Sequence, residues 1–417
     1  MRPSVAVLAT LDTKGPEAAY LRDALQARGL TPLLVDCGIL DPPLDVVPDV
    51  SSDQVARHSG SSIEQLRASG TRGRAVDAMR TMLADYVEHL HRTGVVVGGV
   101  GIGGAEGAVM TAGALMRLPL GAPKVVVSPI ASGRHQFGPL VGTRDLMVVH
   151  SVVDILGLNE ISRLVFDNVA AAVAGMVHSG RGAGAGPDPA TAARTVAVTM
   201  LGNTTRAVMA LRDELAGAGF TTMVFHSNGV GGPAMEELAA EGWFRGVIDF
   251  TTNEVTDPLV GGIHDGGPDR LRVVGELGLP QVVVPGCIDF AVFEPSRVPA
   301  ELADRPSYDH NPEFRLIRTC AQDMRTVAGI FADRLAGAKG PVRVAVPTRG
   351  LSIPNTPDGP FWDPDADAGF RTVLRERLRE RLRDDIPITE HDAHVNDPEF
   401  GRLVARLFLD LLPEAPA

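Results

Sequence analysis

Short apolar runs rich in β-branched residues alternate with longer amphipathic segments over most of the chain. This alternation is typical of parallel sheets whose strands are joined by crossover helices, such as those predicted at residues 17–28, 104–116 and 269–277. In the first half, strands are predicted at residues 4–9, 32–36, 94–99, 124–128 and 146–150. In the second half, they are predicted at residues 195–200, 221–226, 246–251, 281–285, 342–347 and 386–390. The pattern therefore predicts an α/β fold with two Rossmann-like, open parallel-sheet subdomains.

A segment of small residues and prolines separates the two halves. Residues 180–193 have the sequence GRGAGAGPDPATAA, a composition that favours a linker over a helix or a strand. We therefore predict an N-terminal subdomain at residues 1–182 and a C-terminal subdomain at residues 194–417.

The two halves also resemble each other. LRDALQARGLTPLLVD at residues 21–36 aligns without a gap with LRDELAGAGFTTMVFH at residues 211–226. The strand and polar turn before each segment correspond as well, as LATLDTKG at residues 8–15 and VTMLGNTT at residues 198–205. This is either a true repeat or the common appearance of β-turn-α-turn-β units. Either way, both halves should share one topology, with functional loops at the carboxyl ends of their strands.

Composition and charge narrow the class of protein. The 417-residue chain has a net charge of -12 and a pI near 5.4, which argues against nucleic-acid partners because phosphates require a basic surface. Its three cysteines are scattered and form no CxxC pair, so we expect a reducing, cytoplasmic location and no zinc site. No apolar stretch approaches the length needed to cross a bilayer, so no membrane partner is expected.

The most distinctive local pattern is a Gly-rich turn between a predicted strand and a predicted helix. Gly99, Gly101 and Gly104 satisfy GxGxxG, a pattern whose backbone N–H groups bind phosphate at a helix N-terminus. However, the turn does not follow the first strand, it lacks a Walker lysine, and no acidic residue lies about 20 residues further on. The alternative is a tight turn for helix–strand packing. If the turn does bind a cofactor, Gly101, Gly103 and Gly104 are the candidate residues.

Two further polar turns follow predicted strands of the first half. Asp12, Thr13 and Lys14 follow the first strand, and the lysine supplies a cation suited to phosphate. Another turn carries three candidate cofactor-binding residues, Ser128, Ser132 and Gly133. The alternative is that Asp12 or Thr13 only caps the next helix and that Lys14 is an ordinary surface residue. Three polar turns at one sheet edge favour a small anionic, nucleotide-like ligand.

At these residues the chain resembles the Tm-one-like ATP-binding domain family. The similarity runs over nearly the whole chain, through TLDTKGPEAAYLRDAL, VSPIASG, SVVDILGLN, HSNGVGGPAMEELAAEG, IDFTTNEVTDPLVGG and PQVVVPGCIDF. It implies two Rossmann-like subdomains, ATP or another adenine nucleotide bound in the first, and a homodimer. The chain departs from the family at Ile102 and Ala105, where members usually carry Ser and Thr, and at Asn355, where Asp is usual. Glu106 adds a carboxylate that would repel phosphate, so these departures count against nucleotide binding, although backbone N–H groups could still hold a phosphate.

The second half carries a different set of ionisable residues at its predicted strand ends. Together they could line one cleft, bind a carboxylated substrate and transfer protons. The candidate catalytic residues are His226, Glu254, Asp289, His310, Arg318 and His394. Each could instead be structural, as a buried partner or a helix cap. The set contains no closely spaced ligand pair, so no metal site is predicted.

These patterns favour a nucleotide-binding protein whose ligand lies on the strand-end turns of the N-terminal half. The first alternative is an enzyme of lyase or hydrolase type, with acid–base chemistry on a small anionic substrate in the C-terminal half and the cleft between the halves. The second alternative is a non-catalytic module that binds a partner protein.

Overall fold

The computed structural model describes residues 3–40, 42–131, 140–180 and 186–412. The chain divides into two compact units, Met1–Ala185 and Gly186–Ala417. Two of the residues proposed for the cofactor, Ser132 and Gly133, lie outside the described residues.

The first unit is built on a five-stranded parallel sheet in the order β2-β1-β3-β4-β5. Its strands are β1 (Ser4–Ala9), β2 (Thr31–Asp36), β3 (Gly98–Ile102), β4 (Lys124–Ser128) and β5 (Met147–His150). Its helices are α1 (Leu11–Ala27), α2 (Ser52–His58), α3 (Ile63–Arg67), α4 (Arg72–Arg92), α5 (Ala105–Leu115) and α6 (Glu160–His178). Side chains alternate along β1, so Val5 and Val7 enter one buried cluster while Ala6 and Leu8 enter another. Both faces are buried, as expected of a parallel sheet covered by helices.

The third strand lies further along the chain than the predicted 94–99. β3 pairs with β1 from Val5↔Gly98 to Ala9↔Ile102, so the Gly-rich run itself forms the strand. Gly94, with a φ of 73°, belongs to the turn after α4. Glycine is required here by close packing, because a Cβ on Gly99 would lie 2.5 Å from Leu115 Cδ2. The bounds predicted for this strand were therefore wrong, because they followed the high β-propensity of the valines at residues 95–97.

The second unit contains a six-stranded parallel sheet and a small antiparallel sheet. Its strands are β6 (Thr195–Met200), β7 (Thr221–His226), β8 (Gly246–Thr251), β9 (Gln281–Gly286), β10 (Phe290–Phe293), β11 (Ser307–Asp309), β12 (Arg315–Arg318), β13 (Val342–Pro347) and β14 (Ile388–His391). The parallel sheet has the order β14-β13-β9-β8-β6-β7, and the antiparallel sheet has the order β10-β12-β11. The sequence pattern predicted no strand in the region that forms the antiparallel sheet.

The second unit also contains helices. They are α7 (Pro189–Ala192), α8 (Thr205–Gly217), α9 (Gly231–Ala240), α10 (Asp257–Val260), α11 (Val273–Glu276), α12 (Ala321–Leu335), α13 (Pro364–Glu380) and α14 (Pro398–Leu409). The helix predicted at 269–277 is reduced to α11, because Arg270 is taken into a buried ion cluster and Leu271 adopts a φ of 75°. Among the described residues, no helix is long and apolar enough to span a membrane.

The two parallel sheets share one strand order. Numbered within its own unit, each sheet places its strands in the order 2-1-3-4-5, and the second sheet adds a sixth strand. The prediction that both halves have the same topology is therefore confirmed. In sheets of this order, chain connections leave in opposite directions from the first and third strands, and ligands bind at the carboxyl ends of those two strands.

Candidate ligand-binding site

In the first unit, a cavity of about 340 Å³ lies at the carboxyl ends of β1 and β3. Its lining comes from the segments that follow β1, β2 and β3, together with side chains of α4 and α5. The lining residues are Thr10, Asp12, Thr13, Lys14, Cys37, Ile39, Leu40, Val76, Gly104, Ala105, Glu106, Gly107 and Met110. Seven of the nine residues proposed for the cofactor are among the described residues. Four of them line the cavity, namely Asp12, Thr13, Lys14 and Gly104, whereas Gly101, Gly103 and Ser128 do not.

Lys14 lies in an irregular first turn of α1. The carbonyl oxygen of Thr10 accepts the N–H groups of Thr13 at 3.1 Å and Lys14 at 2.9 Å. Lys14 itself has non-helical dihedral angles, φ -127° and ψ 22°, and Pro16 follows it. The regular helix therefore resumes after Lys14, as the sequence pattern indicated. Among the described residues, the half-buried Lys14 ammonium group has no hydrogen-bond or ion-pair partner, so it is available to a ligand.

Two carboxylates organise the loops around the cavity. Asp36 Oδ1 accepts the N–H groups of Leu11 at 3.0 Å and Gly38 at 2.8 Å, which joins the end of β2 to the start of α1. Burial raises the pKa of Asp36. Asp12 Oδ2 accepts the N–H of Leu40 at 3.2 Å, so it fixes the loop after β2 as well as lining the cavity.

The glycines of the Gly-rich turn have different roles. A Cβ on Gly101 would lie 2.4 Å from Thr111, and one on Gly103 would lie 2.7 Å from the Gly107 carbonyl carbon. Both therefore serve helix–strand packing, the alternative that the sequence left open. Gly104 has open space around it, lines the cavity and begins α5 without a side-chain cap. The first turn of a helix has N–H groups without intrahelical partners, so α5 presents donors to the cavity.

The remaining residues of the Gly-rich turn differ in their exposure to the cavity. Ile102 is fully buried in β3, so a hydroxyl group there would enter the core rather than the cavity. Ala105 and Glu106 do line the cavity. Ser128, at the end of β4, is buried, and its Oγ accepts the N–H of Ile130 at 3.3 Å. Of the three positions expected from sequence to disfavour phosphate, Ala105 and Glu106 therefore line the cavity and Ile102 does not.

In the second unit, Asp289 and His394 are linked through Ser352, and Arg318 donates to the main chain of Asp289. Asp289 Oδ2 accepts the Ser352 hydroxyl at 2.6 Å, and the Ser352 carbonyl oxygen accepts His394 Nε2–H at 2.8 Å. Arg318 donates to the carbonyl oxygen of Asp289 at 3.1 Å and to Asp367 Oδ1 at 2.8 Å. Burial raises the pKa of Asp289, and it raises that of Asp367 to about 6.

Glu254 lies in a different environment, a buried ion cluster around Arg270. Arg270 Nε donates to Glu254 Oε2 at 2.7 Å, and its terminal nitrogens donate to Glu236 at 3.2 Å and to both oxygens of Asp249. Glu254 Oε1 accepts the N–H groups of Gly229 and Gly232. Both oxygens of Glu254 are therefore occupied, and its position in the fold is that of a structural anchor for the turn after β7. Sequence reasoning missed Arg270 because its partners are distant along the chain.

The other two histidines of the proposed set lie at the surface. His226 ends β7, and His310 follows β11; both are exposed. Within the described residues, neither imidazole has a hydrogen-bond partner, so the six proposed residues do not form one contact network.

Several buried acceptor atoms that follow strands of the second unit's parallel sheet have no hydrogen-bond partner among the described residues. They are Asn253 Oδ1, Thr256 Oγ1, Asp257 Oδ1, Asp289 Oδ1 and Asn355 Oδ1. Burial raises the pKa of Asp257 to about 8, while burial and His226 lower the pKa of His264 to about 4. Unpartnered buried acceptors indicate positions where water, an ion or a ligand group would be stabilised. No group of three or more His, Cys, Asp or Glu side chains in the described ranges is arranged to hold a metal ion.

Comparison with known proteins identifies relatives along the whole chain. Residues 3–181 match the N-terminal domain, and residues 193–412 the C-terminal domain, of an uncharacterised protein family, UPF0261. A UPF0261 protein from Clostridium tetani is 33% identical over 413 residues, covering 99% of this chain and 100% of that protein. One from Mesorhizobium japonicum is 37% identical over 411 residues, covering 98% of each. The tomato ToMV resistance protein Tm-1(GCR237) is 32% identical over 430 residues, covering 99% of this chain and 56% of that protein.

Proposed function

The chain belongs to the UPF0261 family, and we propose that it binds a small organic phosphate, with an adenine nucleotide as the first candidate. The proposed site is the strand-end cavity of the first unit. One observation carries the proposal: a cavity at the carboxyl ends of the first and third strands contains a lysine without a partner among the described residues.

The phosphate group is assigned to the space between Lys14 and the start of α5. The lysine supplies a charge, and the uncapped N–H groups of α5 supply donors that favour an anion. A hydrogen bond to a charged group contributes roughly 1.5–3 kcal/mol. Loss of the Lys14 ammonium group should therefore weaken phosphate binding by about 10- to 150-fold.

The cavity also contains two carboxylates, Asp12 and Glu106. Without a cation they would repel a phosphate, since like charges at short range are unfavourable. Mg²⁺ in proteins is commonly bound by one or two carboxylates together with substrate phosphates. We therefore expect the nucleotide to bind more tightly as its magnesium complex.

Isothermal titration calorimetry with ATP, ADP and AMP, with and without Mg²⁺, tests this function. Lys14→Met should raise the dissociation constant at least 10-fold, whereas Lys339→Met, at an exposed lysine of the second unit, should leave it unchanged. If millimolar nucleotide gives neither heat nor a rise in Tm with the unaltered protein, the function is wrong. Equal affinity in both lysine variants would show that the nucleotide does not bind in this cavity.

A second candidate is an acid–base enzyme whose site lies in the second unit. The observation that favours it is the set of unpartnered buried acceptors at the strand ends, with Asp289 linked through Ser352 to His394. Mass spectrometry of small molecules released from the purified protein tests it. Asp289→Asn and His394→Ala should each reduce the amount of a co-purifying small molecule. Equal amounts from both variants and the unaltered protein would argue against this candidate.

A further inference from the structure

A second cavity, of about 490 Å³, lies beside the strand-end cavity in the first unit. Side chains of α4 form one wall and side chains of α5 the other. The lining residues are Gly73, Val76, Asp77, Arg80, Ala105, Glu106, Val109 and Met110. Four of these, Val76, Ala105, Glu106 and Met110, also line the strand-end cavity. The two spaces are therefore adjacent, and together they make up one candidate elongated site.

The two ends of this elongated site differ in chemistry. The strand-end cavity contains Lys14 and the start of α5. The helix cavity is lined by the apolar side chains of Val76, Val109 and Met110, and by the charged side chains of Asp77, Arg80 and Glu106. A ligand that matches both needs an anionic end and an end that has apolar faces and polar groups at its edge. A flat ring between two helices would bury its faces against these side chains, and a methionine sulfur adds a favourable contact with an aromatic ring.

The helix cavity is also lined by a polar pair that the strand-end cavity lacks. Arg80 donates to Asp77 Oδ1 at 2.6 Å. The aliphatic part of Arg80 lies over α5 near Gly113, where an added Cβ would be 3.7 Å from Arg80 Cγ. This pair offers an acceptor and donors to the edge of a ring that carries both kinds of group, as a purine does.

We propose that the helix cavity holds the aromatic base of the ligand whose phosphate binds at Lys14. This proposal rests on the proposed function. It excludes the alternative that the base binds against the apolar side chains of Ile39 and Leu40 in the strand-end cavity. The base therefore lies between α4 and α5, and the ribose–phosphate part extends past Met110 toward the strand ends.

Gly73→Phe tests this assignment by filling the helix cavity. Gly73 lies in the first turn of α4 with no atom within 4 Å of an added Cβ, and replacing a helical glycine favours the helix. Val109→Trp fills the same cavity from α5. Gly175→Phe, at an open helical glycine of α6, is the matched control.

Dissociation constants for MgADP and magnesium pyrophosphate are measured by calorimetry for all four proteins. Both cavity variants should bind MgADP at least 10-fold more weakly and pyrophosphate within twofold of the unaltered protein, whereas Gly175→Phe should change neither. Unchanged MgADP affinity in Gly73→Phe and Val109→Trp overturns the base assignment while the proposed function stands. Equal losses for both ligands also overturn it. Failure of the unaltered protein to bind either ligand refutes the proposed function, and the base assignment with it.

Discussion

Replacement of Glu236 by Gln should change the pH dependence of stability in the second unit. Glu236 is one of three carboxylates around the fully buried Arg270, so the cluster carries an excess of negative charge when all are ionised. Burial raises the pKa of Glu236 from 4.5 to about 7, although Arg270 opposes the rise. The cluster therefore takes up a proton in the folded state at pH values where the unfolded chain has lost it.

The size and sign of the effect follow from this shift. A pKa that rises from 4.5 to about 7 corresponds to about 3 kcal/mol, since one pKa unit is about 1.4 kcal/mol. Because the pKa is higher in the folded state, this stability is fully present below pH 4.5 and is lost as the pH rises through 7. Glu236→Gln keeps an acceptor for the Leu271 N–H and carries no charge. The range from pH 5 to pH 8 contains most of this change, so across it the variant should gain about 2–3 kcal/mol of stability relative to the unaltered protein.

Urea unfolding monitored by tryptophan fluorescence at pH 5, 6, 7 and 8 measures this difference. Both tryptophans, Trp243 and Trp362, lie in the second unit, so the signal reports on the unit that contains the cluster. Glu237→Gln, at the adjacent exposed glutamate, is the control and should keep the unaltered pH dependence. The reasoning is refuted if Glu236→Gln loses stability with pH as steeply as the unaltered protein does. Asp257 and Asp367 also have raised pKa values, and their contributions cancel in this comparison.

Three further substitutions test other parts of the structure. Glu106→Gln should tighten ADP binding without Mg²⁺ by about 1 kcal/mol, roughly fivefold, because it removes a carboxylate from the phosphate end of the site. If calorimetry shows no gain in affinity, Glu106 does not lie near the phosphate. Gly232→Ala should lower the free energy of unfolding by more than about 3 kcal/mol, since its Cβ would lie 1.9 Å from Glu254 Oε2. The control Gly329→Ala, where an added Cβ meets open space, should not lower it, and equal urea midpoints for the two variants would contradict the packing argument. Ser352→Ala should cost about 1–3 kcal/mol in the same assay, because Asp289 loses its buried hydroxyl donor; no loss would mean that another group replaces the hydroxyl.

The regular strands were predictable because their patterns are local. The strands at residues 4–9, 124–128, 195–200, 221–226 and 246–251 have the bounds that the apolar runs predict. Parallel strands buried on both faces leave continuous β-branched runs, and this pattern is visible without any knowledge of partners. The repeated strand order followed from the similarity of the two halves.

Features that depend on distant partners were not predictable. The antiparallel sheet consists of strands of three or four residues, too short for a clear alternation. The Arg270 cluster joins residues from four separate segments, and nothing in the sequence distinguishes Arg270 from the many other arginines. The α4–α5 cavity arises from the spacing of two helices, which no local pattern encodes. The predicted homodimer, the cytoplasmic location and the domain bounds remain predictions.

The candidate site was only partly predictable. The polar turn after β1 was identifiable because Asp12, Thr13 and Lys14 directly follow a buried strand, and all three line the cavity. The GxGxxG pattern, in contrast, did not separate glycines that serve packing from the one that lines the cavity. Gly101 and Gly104 look equivalent in sequence, and only the position of Thr111 against Gly101 distinguishes them.

Hydrogen–deuterium exchange with and without saturating MgATP tests the central claim most directly. If the nucleotide binds in the strand-end cavity of the first unit, peptides that cover residues 10–17 and 103–110 should exchange more slowly, because the ligand covers the start of α1 and α5. Peptides from the strand ends of the second unit should exchange at an unchanged rate. Unchanged exchange in both first-unit segments, or protection confined to the second unit, would contradict the account.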